Sequence, residues 1–525
     1  MGEPMEPLRL GDGWQLFLDD YVIEVATGLD RVLHQPAKRG PVLSPDQPWE
    51  GSLSFGNINR GADGRLHATY HVHWHDPRVR EVLPADARDD KPHWFVREVA
   101  YAVSDDGVRW EKPRLGLVET PAALGDDPFL PQPIGATTEN NCGVPFDLCC
   151  DLGLYGNVSD PSRRFLVRLR KNVGTLEERQ PFNRGHGALC FGPEFPDFTG
   201  DVNWRDKLEP IENARLSPRG FLNVAGFDEI HGEWFGLMQG VRPHWIPSRD
   251  LARWSTPDLE HWTGRPCLFP APEDPHTLER YDEFMDAAVI RCEGLWLGFM
   301  VVFHSDRTHP HYGIPERWWR KGTTDLQLIA SRDGGLTWRR VADRAVWLPH
   351  GAEEDSFDRL AYVGRPVRVG DETYFYYLAM DGDHLSHYHD GAQTPYYHDR
   401  IRRTRIALAA QRWNGYVSLT AGTHPATFIS KPLIFTGRHL HVNADASRGE
   451  IKVEVVPVAD GEIVDPWTPE TCPGLSFDEA VPVTGRQVEQ RVRWRGGDDL
   501  SAWQGRPVRL RISIRNTDLY GFRFE

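Results

Sequence analysis

The sequence lacks an excess of positive charge: 60 Lys and Arg stand against 76 Asp and Glu, which gives a formal net charge of −16. Nucleic acids and anionic membranes are bound by clustered positive charge, so neither is expected as the main partner. No apolar run approaches the ~20 residues that span a bilayer. The first residues contain no basic segment followed by an apolar one, so no signal peptide is visible.

Cysteine is also scarce and irregularly spaced. Seven cysteines occur, an odd number, and none forms the Cys-x-x-Cys spacing of a zinc ribbon. Such a set favours reduced thiols, and with the missing signal peptide it predicts a cytoplasmic protein. Because no metal-ligand or cofactor motif was found, we expect neither a metal nor a cofactor.

Aromatic and turn-forming residues are abundant. The 525 residues include 19 Trp, 15 Tyr, 24 Phe, 49 Gly and 41 Pro. This composition is typical of many short strands joined by tight turns. The length predicts two domains, or a repeat architecture that absorbs it. The rings can serve as packing between sheets or as platforms for sugar rings.

A short motif recurs along the chain. Residues 331–338 read Ser-Arg-Asp-Gly-Gly-Leu-Thr-Trp and follow an alternating strand. Related text occurs at 104–110 and 255–262, and a worn copy at 406–415. Each copy predicts a strand, a tight turn capped by Asp and opened by Gly, and a Trp that begins the next strand. The copy at 331–338 resembles the Asp-box of propeller enzymes, which is a signal of fold and not of chemistry.

The spacing of the copies predicts the number of blades. Ser255 and Ser331 are 76 residues apart, and Ser104 precedes Ser255 by 151, about twice that. A degenerate copy is expected near the strand 187–192. The repeated region therefore predicts five blades. After residue 422 the alternating strands lack the Trp turn and predict a β-sandwich.

The predicted fold is all-β, a five-bladed β-propeller followed by a C-terminal β-sandwich. The propeller is expected to span residues 49–422 and the sandwich 423–525. Residues 1–48 are expected to form a segment that closes onto the propeller.

Several segments carry a family resemblance. They are 16–23 (Leu-Phe-Leu-Asp-Asp-Tyr-Val-Ile), 34–36, 40–43, 48–51, 139–141 (Glu-Asn-Asn), 281–284, 293–298 and 518–522. With them the chain resembles the five-bladed β-propeller glycoside hydrolase clan, invertase-like and arabinanase- or xylosidase-like, in an uncharacterised bacterial branch. The invertase-like Trp-x-Asn-Asp-Pro-Asn-Gly signature and a clear Arg-Asp-Pro are both absent, so fructoside specificity is not implied.

The resemblance implies a glycosidase that uses paired carboxylates in the central funnel of the propeller, one acid and one base or nucleophile. Carboxylates at the start of the innermost strands are the candidates. The expected reacting set is Glu50, Glu283 and Asp358, with Asp286, Asp147 and Asp355 in reserve. As in the clan, we expect the base or nucleophile in blade 1 and the acid in blade 4 or 5.

Other residues are expected to bind substrate hydroxyls, or to be polar loop residues without that role. They are Trp49, Asn57, His71, His73, Glu139, Asn140, Asn141, His304, Trp318 and His384. For the histidines among them, a metal at the funnel mouth is a further alternative, although no ligand motif supports it. The expected partner is an oligosaccharide or glycoside.

Three alternatives to this hydrolase remain. A sialidase-like enzyme needs a Tyr nucleophile and three arginines, and Arg242, Arg365 and Arg402 form no pattern. A phosphorylase needs a basic phosphate pocket within the funnel. A propeller that binds carbohydrate without catalysis needs neither.

Overall fold

The computed structural model describes residues 6–76, 78, 95–126, 133–144, 146–151, 160–169, 189–194, 204–212, 223–240, 249–275, 280–292, 294–306, 321–351, 358, 360–380, 404–458 and 470–525. Regular structure in these ranges is β-strand with four short 3-10 helices, so the predicted all-β class is confirmed. The 3-10 helices are Pro161–Arg163, Trp204–Lys207, Val341–Arg344 and Ser501–Trp503. None of the helices in the described ranges has the length and hydrophobicity needed to cross a bilayer.

Most strands between residues 37 and 412 form antiparallel groups that we call sheets 1 to 5. Sheet 1 contains Ser52–Arg60, Leu66–His75 and Phe95–Ser104. Sheet 2 contains Phe146–Asp151, Phe165–Leu169, Leu189–Gly192 and Glu209–Pro210. Sheet 3 contains Asn223–Asp228, Glu233–Gln239, Leu251–Thr256 and Thr263–Leu268.

Sheet 4 contains Arg280–Cys292, Leu295–Asp306, Lys321–Ser331, Arg339–Arg340 and Val346–Leu348. A single pair, Met238 with Asp286, joins it to sheet 3. Sheet 5 contains Leu360–Val363, Val367–Val369, Glu372–Met380, Thr404–Arg412 and, from far upstream, Ala37–Leu43. The last of these is the outer strand, paired with Thr404–Arg412. Two short pairs lie outside these sheets, Ala123–Leu124 with Pro133–Ile134 and Ala480–Val481 with Arg493–Trp494.

Each sheet packs against the next through its own apolar cluster. Val99 and Phe165 lie in the cluster between sheets 1 and 2, and Leu166 packs with Met238 between sheets 2 and 3. Further clusters lie between sheets 3 and 4, between sheets 4 and 5, and between sheets 5 and 1. The last contact connects the end of the series with its beginning, and burial of these clusters is the main stabilising contribution.

The first strand of each sheet defines two ends of this arrangement. The leading end is where these strands begin, at Ser52, Phe146, Asn223, Arg280 and Leu360. The hairpin end is where they turn back, for example at residues 61–65 and at Gly294.

Irregularities recur in the first strands. Pairing shifts between Ser54 and Asn57 in sheet 1, and between Phe146 and Leu148 in sheet 2. It shifts again between Val224 and Gly226 in sheet 3 and between Phe284 and Asp286 in sheet 4. Bulges of this kind re-aim side chains, and they are common beside active sites.

The Asp turns form as predicted. Asp333 accepts hydrogen bonds from Ser331 Oγ at 2.8 Å and from the Thr337 backbone N–H at 2.9 Å, and Trp338 is buried behind them. Asp106 and Asp258 accept equivalent backbone bonds. The strand expected to begin at the Trp of the first copy, Trp110, is not formed, since within residues 108–113 only Glu111 pairs, with Val103.

The remaining strands make one continuous sheet of 11, which we call the tail sheet. They are Leu8–Arg9, Gln15–Leu16, Ile23–Thr27, Asp30–Leu33, Val417–Ala421, Ala426–Ser430, Leu433–Ile434, Leu440–Pro457, Val483–Arg491, Val508–Arg515 and Thr517–Phe524. The first half of Leu440–Pro457 pairs with Thr517–Phe524 and the second half with Val508–Arg515. The four strands from the N-terminal segment were not predicted to belong here.

Candidate functional site

Buried carboxylates collect at the leading end, as expected from the sequence. Glu50 lies just before the first strand of sheet 1, Glu283 lies within that of sheet 4, and Asp358 lies just before that of sheet 5. All three are at most 3% exposed. Sheets 4, 5 and 1 are consecutive in the packing order, so these acids approach the same end of three neighbouring sheets.

Glu50 is held by hydrogen bonds on both oxygens. Oε2 accepts from Lys112 Nζ at 2.7 Å and from the backbone N–H groups of Asp46 and Gln47 at 3.1 Å. Oε1 accepts from the Tyr70 hydroxyl at 2.8 Å. Burial raises the pKa of Glu50, and the Lys112 ammonium opposes this shift.

Trp49, Asn140 and Asn141 support this network from within the core. The Trp49 indole N–H donates to Asn141 Oδ1 at 3.0 Å, and Asn141 Nδ2 donates to the Tyr70 hydroxyl at 2.8 Å. Asn140 Nδ2 donates to the Val118 carbonyl at 2.8 Å. All three of these predicted substrate-binding residues are buried, and these hydrogen bonds join them to other parts of the protein.

The bulge in Arg280–Cys292 sets the direction of two acids. Glu283 pairs with Phe303 and Phe284 with Val302, but Asp286, not Met285, pairs with Val301. Because alternate ladder positions share a face, the bulge brings Asp286 onto the face of Glu283. Ala288 and Ile290 follow on that face and pack against sheet 5, whereas Phe284 and Ala287 pack towards sheet 3.

Asp286 differs electrostatically from its neighbour Glu283. Desolvation by burial raises the pKa of Asp286 to about 7, although its own backbone neighbour Ala287 donates to Oδ1 at 2.8 Å. Glu283 forms an ion pair with Arg249, whose Nε lies 3.3 Å from Oε2. One strand therefore presents an acid that keeps its proton near neutrality beside an acid in an ion pair.

Asp358 lies at the boundary between sheets 4 and 5. Its Oδ2 atom is 2.5 Å from Lys38 Nζ and accepts from the Tyr377 hydroxyl at 3.2 Å. Tyr377 packs in the same cluster as Ala288. Asp358 and Asp286 therefore approach the same boundary from opposite sheets.

His304 is clamped between two carboxylates. Its Nδ1 lies 2.8 Å from Asp282 and its Nε2 lies 2.8 Å from Asp325. Burial alone lowers the pKa of His304, but the hydrogen bonds to both acids outweigh it and raise the pKa to about 10. At neutral pH the ring is a cation that links the first, second and third strands of sheet 4.

The other predicted binding residues are distributed along sheet 1 and beyond it. His71 and His73 are half-buried on the second strand, where His73 Nε2 lies 2.8 Å from Ser54 Oγ. Asn57 is half-buried directly after the bulge in the first strand. Glu139 is exposed and forms an ion pair with Arg114 at 2.7 Å.

For four predicted residues, the position or the side chain lies outside the described part of the chain. Asp355, Trp318 and His384 lie outside the described residues. Asp147 lies in the bulge of Phe146–Asp151, where only the backbone is described.

Sequence reasoning missed several members of the site. Lys112 and Tyr70 donate hydrogen bonds to Glu50, and Lys38 forms an ion pair with Asp358. Asp325 is one of the two acids bonded to His304. Glu98 is a further fully buried acid, on the third strand of sheet 1. Each lies away from the first strands of the sheets, and no motif marks them. The one available signal was that Glu98 and Asp325 interrupt strands of otherwise largely apolar residues.

A metal-ligand set occurs elsewhere in the described residues. His441, Glu489 and Glu525 of the tail sheet bring one ligand atom each within 4.8 Å of the others. Arg523 bonds to both glutamates, so the group forms an ion-pair network at the surface.

No model of a known protein family and no curated protein sequence matches the chain. Solved structures do match it. One called "Glycoside hydrolase" is 13% identical and covers 73% of this chain and 93% of its own, at a TM-score of 0.39. A glycoside hydrolase family 43 arabinoxylan arabinofuranohydrolase from Bacillus subtilis is 10% identical, with coverages of 91% and 96% and a TM-score of 0.31.

An exo-inulinase from Aspergillus awamori is 10% identical, with coverages of 93% and 98% and a TM-score of 0.29. The structural neighbours are thus of the class that the sequence resembles, glycoside hydrolases. At these TM-scores they add nothing on the activity or substrate of this chain, which we argue from its own residues.

Proposed function

We propose that the chain is a glycoside hydrolase built on a five-bladed β-propeller, with sheets 1 to 5 as the blades. The support is the series of apolar clusters, one between each pair of consecutive sheets, including the pair formed by sheets 5 and 1. In this proposal residues 49–422 form the propeller and 423–525 a β-sandwich. Residues 1–48 then supply the closing strand Ala37–Leu43 and edge strands of the sandwich.

The observation that carries the function is the burial of Asp286, Glu283 and Asp358 at the leading end of the neighbouring sheets 4 and 5. Hydrolysis of a glycoside needs one carboxyl group that donates a proton and one that is ionised. Asp286 is the proposed acid, because a pKa of about 7 keeps about half of it protonated at neutral pH. Asp358 is the proposed base or nucleophile, and Lys38 forms an ion pair with it.

Glu283 completes the reacting set on the same face as Asp286. Glu50, which was expected to be the base, is proposed instead to shape the site, because four donors already occupy its oxygens. His71, His73 and Asn57 are the proposed hydroxyl-binding residues, since they are half-buried at or near the bulge of sheet 1.

The test is release of sugar from a panel of aryl glycosides and plant or bacterial oligosaccharides. We expect Asp286→Asn, Asp358→Asn and Glu283→Gln each to lower kcat by about 100-fold or more. Asp105→Asn, which alters an exposed acid outside the site, serves as the control. Circular dichroism confirms that each variant is folded. Full activity of Asp286→Asn on a substrate that the wild type cleaves would contradict the assignment.

A second candidate is a carbohydrate-binding propeller without catalysis. The saturated hydrogen bonding of Glu50 favours it, because the blade 1 carboxylate would then be structural. Sugar binding without release by the wild type, unchanged in Asp286→Asn, would support this candidate against the hydrolase.

A further inference from the structure

A cavity opens at the hairpin end, away from the acids. Its volume is about 470 Å³, and its lining includes Asn59 and Arg60 of sheet 1, Arg164 before the second strand of sheet 2, and Arg365 and Arg368 of sheet 5. Arg365 donates to the Val289 carbonyl, six residues beyond Glu283 on the same strand. At ~3.3 Å per residue, Val289 lies ~20 Å along the strand from Glu283 and ~10 Å from Asp286.

Among the nine described residues that line the cavity, four are arginines and none is Asp or Glu. Arg60 donates to the carbonyls of Gly64 and Arg368, and Arg368 donates to that of Gly370. Carbonyl acceptors are neutral, so these bonds leave the guanidinium charges in place. In a chain of net charge −16, this concentration of positive charge runs against the overall composition.

The arginines are held in position by the fold. Arg365 reaches across the sheets and donates to the carbonyls of Ala225 in sheet 3 at 2.5 Å and Val289 in sheet 4 at 3.3 Å. Arg368 stacks over the Trp413 ring at 4.7 Å, and Arg164 over the Phe165 ring at 5.0 Å. Side chains that are already ordered lose little entropy when an anion binds.

We propose that this cavity binds a phosphate monoester of about the size of a sugar phosphate. Guanidinium groups bind phosphate oxygens through paired N–H donors, and several of them around one cavity match a doubly charged group. The volume lies within the ~300–1,000 Å³ typical of small-molecule sites, and it exceeds what a lone phosphate fills. The site is distinct from the acids at the leading end and does not depend on their chemistry.

Isothermal titration calorimetry of the full chain with glucose 6-phosphate tests the proposal. We expect a Kd of about 1 mM or tighter, which weakens as salt is added. Inorganic phosphate should bind more weakly by about tenfold or more if the sugar fills the cavity, and equally if only the phosphate is bound. Glucose should not bind at this site.

The Arg60→Gln/Arg368→Gln double variant should weaken glucose 6-phosphate binding by at least about tenfold. The matched control is Arg114→Gln/Arg486→Gln, which removes two exposed positive charges elsewhere and should bind as the wild type does. Thermal melting of each variant checks folding. Arg365 is left intact because it joins sheets. Absence of binding by the folded wild type, or equal loss in both double variants, would overturn the proposal.

Discussion

The buried charged residues of this chain differ in hydrogen bonding and in pKa according to the groups that surround them. Glu50 is enclosed by a lysine, a tyrosine hydroxyl and two backbone N–H groups. His304, whose pKa is raised to about 10, is a cation at neutral pH and lies between two acids. Asp286, in contrast, is desolvated by burial, which raises its pKa to about 7 against the opposing backbone bond from Ala287. Near neutral pH, Asp286 is therefore present in both its protonated and its ionised form.

The raised pKa of Asp286 predicts that replacing this acid by Asn removes activity but increases stability at high pH. In the folded state its pKa is about 7, against 3.8 in the unfolded chain. The folded state therefore binds the extra proton between these values, and stability from this group is lost as pH rises through about 7. At about pH 8, Asp286→Asn should be more stable than the wild type by about 2–4 kcal/mol, while it is inactive.

Urea unfolding of both proteins at about pH 5 and pH 8 measures this difference. The wild-type kcat should also fall as pH rises through about 7, as the acid loses its proton. Equal stability of the two proteins at the higher pH would show that Asp286 is not held protonated by burial.

At the scale of elements, the repeated Asp turns follow the third strands of sheets 1, 3 and 4. Backbone N–H groups, that of Arg109 first, hold the pKa of Asp106 well below its ordinary value. The turn is therefore stabilised above the unfolded pKa of this group, and the stabilisation is lost as pH falls towards the folded value.

Two adjacent acids make a matched comparison of this turn. Asp106 accepts the backbone bonds, whereas Asp105 is exposed and pairs only with Arg65 among the described contacts. Asp106→Ala should lower the free energy of unfolding by about 1 kcal/mol and Asp105→Ala by less than about 0.5 kcal/mol. Urea denaturation at neutral pH measures both. A loss as large for Asp105→Ala would mean that charge, not turn geometry, is responsible.

Much of this element structure could be predicted from the sequence, because it depends on local periodicity. Residues 331–338 were predicted to follow an alternating strand, which is Lys321–Ser331, and the strand expected near 187–192 is Leu189–Gly192. The bulges could not be predicted, since they are set by pairing between strands. For the same reason the shared face of Glu283 and Asp286 was missed, as was the clamp of Asp325 on His304.

At the scale of the whole molecule, the N-terminal segment connects both halves of the chain. Ile23–Thr27 and Asp30–Leu33 pair within the tail sheet, and Ala37–Leu43 then crosses to sheet 5. Arg412 adds a second connection, since its Nε donates to Asn443 Oδ1 of the tail sheet at 2.6 Å. Such connections predict that the two halves unfold together.

Gly40 tests the contribution of the closing strand. Gly40 pairs with Leu408 and has φ +88°, and Gly116, in a loop, has φ +67°. Neither has an atom within 4 Å of an added Cβ, so proline costs similar backbone strain at both sites. Gly40→Pro also disturbs the strand pairing and should be less stable than Gly116→Pro by about 1–3 kcal/mol. Equal stability of the two variants in urea would show that the closing strand contributes little.

The origin of that closing strand far upstream has a consequence during protein synthesis. Ala37–Leu43 leaves the ribosome early, but its partner Thr404–Arg412 follows about 360 residues later. At about 5–20 residues per second, the nascent chain waits roughly 20–70 s with an unpaired strand edge. Molecular chaperones that cover exposed edges therefore have a defined interval in which to act on this chain, and slowing translation lengthens the time at risk of aggregation.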